Sequence, residues 1–264
     1  MIATLAAQTL RSRVRSILIW SGALCALTIM MVAIYPSIGR IDLEQLLKSY
    51  PKEFMQASGI ESERQFSTPI GYLNGELFSV MIPLAIVFLP LGIVNQCMPA
   101  AEERHYLDNL LCTPIARWQV VAAAAVAGAI ALAVVLVVVF AITMLAAELI
   151  GVDLGAADMA RSCLALWPLA SFFASIGVLV ASSGPGRGRT LGAAGGLLVL
   201  MYMLPVIAAF ANSFAQIQKI SVFYYYNDWI QHGIDWPRFL LVLAVSAALT
   251  ATGGVLFERR DVAS

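Results

Sequence analysis

Six long apolar runs, each bounded by charged or turn-forming residues, organise this chain, with approximate limits 17–35, 77–98, 118–149, 160–181, 191–211 and 238–257. Each is long enough to cross a bilayer, which takes about 20 residues at a rise of about 1.5 Å per residue. In lipid such runs are predicted to be helical, because their backbone N–H and C=O groups find partners only within the helix. The run interiors carry no ionisable group, and Glu76 and Glu148 stand at the ends of the second and third. Pro83, Pro90, Pro168 and Pro205 are candidate kinks, and Gly192, Gly195 and Gly196 permit close helix approach.

The polar stretches between the runs fix an orientation. Six spans put both termini on one face. The N-terminus, 99–117, 182–190 and 258–264 then carry nine Lys or Arg, and the opposite face carries seven, four of them in one long loop. Excess cations in short loops mark the cytoplasmic side. Two readings of "TLAAQTLRSRVRSILIW", residues 4–20, stay open: an amphipathic helix on the inner surface, or ordinary basic flanking of a retained first span. No cleavable leader is expected. Outside, Leu43, Leu46, Leu47 and Tyr50 have helical spacing, and Phe54 and Met55 extend that face to a stop at Gly59. A second external element, 212–237, holds Phe223, Tyr224, Tyr225, Tyr226, Trp229 and Trp236. Such rings gather at the membrane–water boundary, which is their expected place, with cargo contact as the alternative.

Composition agrees. Of 264 residues, 60% are hydrophobic and 12% charged, against about 25% charged in soluble domains. Mean hydropathy is +0.84. The chain is expected to be a single all-α membrane domain over residues 1–264. Its net charge is zero, so no nucleic-acid partner is expected. Cys25, Cys97, Cys112 and Cys163 avoid the longer polar loops and form no C-x-x-C, so they are read as small apolar residues and not as a metal site. No phosphate-binding Gly-Lys-Ser/Thr loop, H-E-x-x-H or G-x-S-x-G occurs. "SSGPGRGRT", residues 182–190, has the wrong glycine spacing for such a loop and reads as a tight basic turn. No enzyme chemistry is expected, and the lack of acids or bases inside the spans argues against a proton pump or ion channel.

One stretch exceeds what a linker needs. "AAEERHYLDNLLCTPIARWQ", residues 100–119, is charged and compact between two uncharged runs. Leu107, Leu110 and Leu111 stand at i, i+3 and i+4, Glu102 and Glu103 suit a helix start, and Thr113-Pro114 ends the pattern. A short helix with an apolar ridge follows, suited either to a groove on a soluble partner or to the lipid surface.

"EERHYLDNLLCTPIARWQ" resembles the cytoplasmic segment of ABC-2 type transporter permeases. Glu102, Glu103, Leu107, Asp108, Leu110, Leu111, Thr113, Pro114 and Arg117 stand where that pattern expects them. The tail "LFERRDV", residues 256–262, is similar to the family's ending after the sixth span, and "TPIGYLNGELFSVMIPL" looks like its drug-export branch. His105-Tyr106 replaces the family's usual Gly-Thr, and Ala122 to Ala125 stand where a basic residue is common. The resemblance implies a coupling helix that seats in a separate ATP-binding subunit. ATP and Mg would be bound there, and this chain would hold no cofactor. Two permease chains, identical or not, and two ATPase subunits would form the unit. Its place would be the cell membrane of a bacterium and its cargo a hydrophobic or amphipathic small molecule. A lipid or polysaccharide exporter of the same family, or a non-transporting scaffold, is the alternative. Tyr202, alone in "LLVLMYMLP", is a candidate for the substrate path beside the simpler reading of a core or lipid-facing ring.

Overall fold

A computed structural model describes residues 2–38, 68–103, 116–184, 186–210 and 216–260. Every regular element among them is helical. In chain order these are α1 (Ile2–Ile38), α2 (Pro69–Glu103), α3 (Arg117–Ile150), α4 (Ala156–Ser183), α5 (Arg187–Phe210), a short 3-10 turn (Ile217–Ile220), α6 (Val222–His232) and α7 (Trp236–Arg259). Six of them, all but α6 and the turn, are long and apolar enough to cross a membrane. The all-α, six-span fold is therefore as expected.

Local chemistry sets the ends. Thr68 Oγ1 accepts the Gly71 N–H at 3.2 Å and Pro69 opens α2. Gly151, at φ 76°, closes α3 in the left-handed conformation that glycine adopts without penalty. Asp235 Oδ1 receives the Arg238 N–H at 3.4 Å at the start of α7.

Several spans outrun their apolar cores. α1 begins at Ile2 and runs 37 residues without interruption, or about 55 Å. The N-terminal stretch is thus no separate surface helix. Arg13 Nη2 donates to Gln96 Oε1 at 2.8 Å, and Cys97 Sγ lies 3.9 Å from Thr9 Oγ1. These contacts hold the first turns of α1 along the end of α2. α2 likewise starts at 69, so the last part of the external loop belongs to a span. The expected helix around Leu43 to Gly59 lies outside the described residues.

α2 and α4 form the enclosed centre, α1 packs along α3, and α7 packs along α4. α5 is the least enclosed span, with Val199, Leu200 and Met203 exposed. Two glycines permit the closest approaches. A Cβ on Gly253 would meet Val178 Cγ1 at 2.7 Å, and one on Gly177 would run into Leu91 Cδ1. In lipid, where apolar surface gains little by leaving solvent, such backbone proximity is a main source of helix attraction.

The outer half of α2 is irregular. Leu73–Met81 is a nine-residue π-helix, a rare form with i→i+5 hydrogen bonds. The i+5 residue of Phe78 is Pro83, which has no N–H to give. Side chains add further bonds. Ser79 Oγ donates to the Asn74 carbonyl at 2.6 Å, Ser162 Oγ donates to Asn74 Oδ1 at 2.8 Å, and Tyr226 O–H donates to the Phe78 carbonyl at 2.6 Å. The last comes from α6, whose aromatic residues were expected in a boundary belt. Instead Phe223, Tyr226 and Trp229 are buried, Tyr224 and Tyr225 are half-buried, and of the six expected rings Trp236, in α7, alone is largely exposed. Helical spacing explains the change: positions 222, 223, 226, 229 and 230 share one face, which a belt reading ignores. Ser221 fixes the entry by donating to the Met201 carbonyl at 2.5 Å and accepting the Phe223 N–H at 3.1 Å. Burial raises the Tyr226 phenol well above its ordinary value, so it stays a donor at every physiological pH.

Tyr226→Phe should leave the Phe78 carbonyl without its donor and cost about 1–3 kcal/mol. A lower melting temperature in detergent is the expected result. An unchanged one would mean that the π-helix does not depend on α6.

Candidate functional site

The arginine-rich end of the bundle, called the basic end below, gathers the ends of five spans. α2 deforms at Met98, at φ −114° and ψ −80°, and resumes as a short helical stretch from Pro99 to Glu103. That turn directs two adjacent glutamates to different neighbours.

Glu102 pairs with Arg260, which follows the last residue of α7. The carboxylate side chain is 8% exposed and the guanidinium side chain 15%. Arg260 also donates through Nη1 to the Ala181 carbonyl of α4 at 3.4 Å, and its own carbonyl accepts from Arg117 Nη1 at the start of α3. One residue thereby joins α2, α3 and α4 to the end of α7. The planar fork of arginine suits this role, since its donors point in several directions at once.

Glu103 was expected to favour the start of a coupling helix. It is the last residue of the α2 span, and it caps a different helix: its Oε1 accepts the Arg187 N–H at 2.9 Å. A carboxylate there meets both an unpaired N–H and the positive end of the α5 dipole. The turn from α4 to α5 is closed by Arg189 Nη2, which donates to Ser183 Oγ at 2.6 Å, and by Gly186 at φ 124°. The basic turn expected at 182–190 is therefore present.

Of the residues the sequence singled out, Glu102, Glu103 and Arg117 come together here. Leu107, Asp108, Leu110, Leu111, Thr113 and Pro114 lie outside the described residues. Tyr202 is not part of this cluster. It is half-buried in α5, with its ring edge-on to Phe223 at 5.4 Å between centroids. The pivotal residue, Arg260, was visible in the sequence only as part of the tail motif. Its signal was a pair of arginines directly after an apolar run, which reads as flanking charge until a buried acid is found opposite.

The cluster has the make-up of a mechanical junction. Its carboxylates are paired with a cation or a helix end, and among the described residues of the cluster no nucleophile sits beside a base. Among the described residues no group of His, Cys, Asp or Glu is placed to hold a metal ion. What the junction does is bracket a segment. In sequence Glu102 precedes and Arg117 follows the segment the sequence singled out, and Arg260 contacts both of them.

A protein-family model described as "ABC-2 family transporter protein" matches residues 3–262. The chain belongs to that family: it is a multi-pass membrane permease component of an ABC transporter, a class that works in general with an ATP-binding subunit. A search of curated proteins found no match.

Removing one partner of a largely buried ion pair strands the other charge, at a cost of up to about 3–5 kcal/mol. Glu102→Leu and Arg260→Met should each destabilise the chain, and the double variant should cost less than the sum. Unfolding of the four proteins in mixed micelles measures the cycle. Additive losses would show that the pair contributes no coupling.

Proposed function

We propose that this permease is the membrane subunit of an ATP-driven exporter, with a hydrophobic or amphipathic, drug-like small molecule as cargo. The basic end faces the cytoplasm of a bacterial cell. The segment that starts at Glu102 and Glu103 and runs through Leu107, Asp108, Leu110, Leu111, Thr113 and Pro114 to Arg117 carries the coupling helix, and Leu107, Leu110 and Leu111 seat it in a cleft of a separate ATP-binding subunit. ATP and Mg are bound there, and two such subunits serve a pair of permease chains.

The observation that supports this most is the bracket around the segment. A lever must be stiff where it meets the load. Arg260 ties Glu102, just before the segment, and Arg117, just after it, to the ends of α4 and α7. Glu103 ties the same point to the first turn of α5. A push on 104–115 is then shared among five spans instead of being lost in a slack loop. Rigid connection to helix ends is a usual route by which a local change becomes a domain movement. The rest of the chain fits the division of labour, since it has apolar spans and lacks a nucleotide-binding loop.

Leu110→Asp places a charge on the docking ridge and should break the association while leaving the spans folded. The test is gentle extraction from the native membrane with identification of the co-purifying proteins. A soluble subunit with a nucleotide-binding loop, present with the natural chain and lost with Leu110→Asp together with drug-stimulated ATP hydrolysis, is the expected result. A chain that purifies alone, or one whose partner cannot bind ATP, would overturn the export reading in favour of a scaffold.

A further inference from the structure

Among the described residues a cavity, half open at the surface of the bundle, lies between α2, α3, α4 and α7. Its volume is about 680 Å³, within the range of small-molecule sites. Small residues open it: Ala122, Ala125 and Gly128 on α3 face Ala247, Ala251 and Gly254 on α7. Positions 247, 251, 254 and 258 are spaced three or four apart, so one stripe of α7 lines the cavity down to the basic end.

Its polar lining is mostly hydroxyl groups, those of Ser171, Ser175, Ser246 and Thr250. Ser175, Ser246 and Thr250 give their hydroxyl hydrogens to their own helices, at 2.6, 2.8 and 2.9 Å. Their oxygens remain as acceptors. The one ionisable lining residue is Glu258, and among the described residues no cation pairs with it. Trp118 lines the same end; its Cβ is 3.7 Å from where a Cβ on Gly254 would be, one helical turn before Glu258. An apolar groove, acceptor oxygens along it, and a carboxylate with an indole at one end form one recognition pattern. They suit an apolar body with a cationic head. The carboxylate supplies the counter-charge, and the indole face adds a cation–π attraction. The same carboxylate repels the phosphate of a phospholipid headgroup, which sets the cavity apart from a lipid seat.

We infer that this cavity binds a small lipophilic cation, with its charge at Glu258 and Trp118 and its apolar body between α3 and α7. Resting on the export reading above, this makes it the cargo's seat inside a single chain. Its position has a consequence for coupling. Glu258 is two residues before Arg260, and Trp118 is next to Arg117, so the cation's two contacts adjoin the residues that bracket 104–115.

The test uses the full chain in phosphatidylcholine nanodiscs and ethidium as the probe, a lipophilic cation whose fluorescence reports binding. Saturable binding of one dye per chain is expected, with displacement by tetraphenylphosphonium. Glu258→Gln should weaken binding on the order of tenfold, from the lost charge-assisted contact. Ala251→Phe and Ala125→Phe, which fill the cavity from opposite walls, should each remove it. Ala244→Phe, on α7 but outside the lining, should bind as the natural chain does. Absent binding, indifference to both the filling variants and Glu258→Gln, or a tightly held phospholipid that ethidium does not displace would each overturn the assignment. The readout needs no ATPase. Dye binding without a co-purifying ATP-binding subunit would sink the export reading and keep the site; a bound subunit without dye binding would do the reverse.

Discussion

Hydrocarbon has no hydrogen bonds to offer, and this sets the terms for the whole molecule. A backbone group or charge left unpartnered at membrane depth costs several kcal/mol. The spans are therefore continuous helices, and the charges are driven to the ends. Once collected there, between closely packed helices, they are no longer bathed in water and must satisfy one another. Glu102 meets Arg260, Arg260 also meets Ala181 and Arg117, and Glu103 meets the first N–H of α5. The junction at the basic end follows from expelling charge from the spans and then burying the ends of those spans against each other.

The same constraint explains the other end. A π-helix in lipid is tolerable only where neighbours take up the groups it leaves poorly paired. In Leu73–Met81 the Phe78 carbonyl is taken up by Tyr226 of α6, while Ser162 of α4 holds the Asn74 side chain. α6 is too short to span, yet it is among the best buried parts of the chain, with Tyr226 and Trp229 fully enclosed. It serves α2 as a cap: the bundle is closed by its aromatic face, and the irregular backbone is kept away from both lipid and water.

Much of the fold was legible because the period of the apolar runs is a strong signal. Six spans, their order, and the all-α class follow from length and composition. Less legible was anything that depended on two distant segments meeting. Arg260 reads as one of many flanking arginines, and only the packing of α7 beside α2 places it opposite Glu102. Glu103 looked like a helix-starting acid, and in space it does that work for α5, 84 residues further along the chain. The α6 rings were misplaced for a similar reason. Aromatic content alone points to the interface, whereas the 222, 226, 229 spacing defines a face whose main partners, α4 and α5, the sequence does not reveal. α1 was divided in thought at its arginines, but arginines are good helix formers and interrupt nothing.

A transporter needs more than a cavity and a lever; the two must share free energy. A cargo can bias the coupling segment only by binding more tightly in one arrangement of the junction than in another, and the segment's partner then biases cargo affinity by the same factor. Proximity alone does not secure this. What favours it here is that the cation's end of the cavity and the junction lie on the same short stretches of two helices. Glu258 lies in the last turn of α7 and Arg260 directly follows that turn, while Arg117 and Trp118 share the first turn of α3. A shift of α7 against α3 that loosens the Arg117–Arg260 contact must also change the spacing of Glu258 and Trp118, because a helical turn is too stiff to let one move without the other. The cavity would then be wide at that end in one state and narrow in the next, and a cation seated there would feel the difference directly.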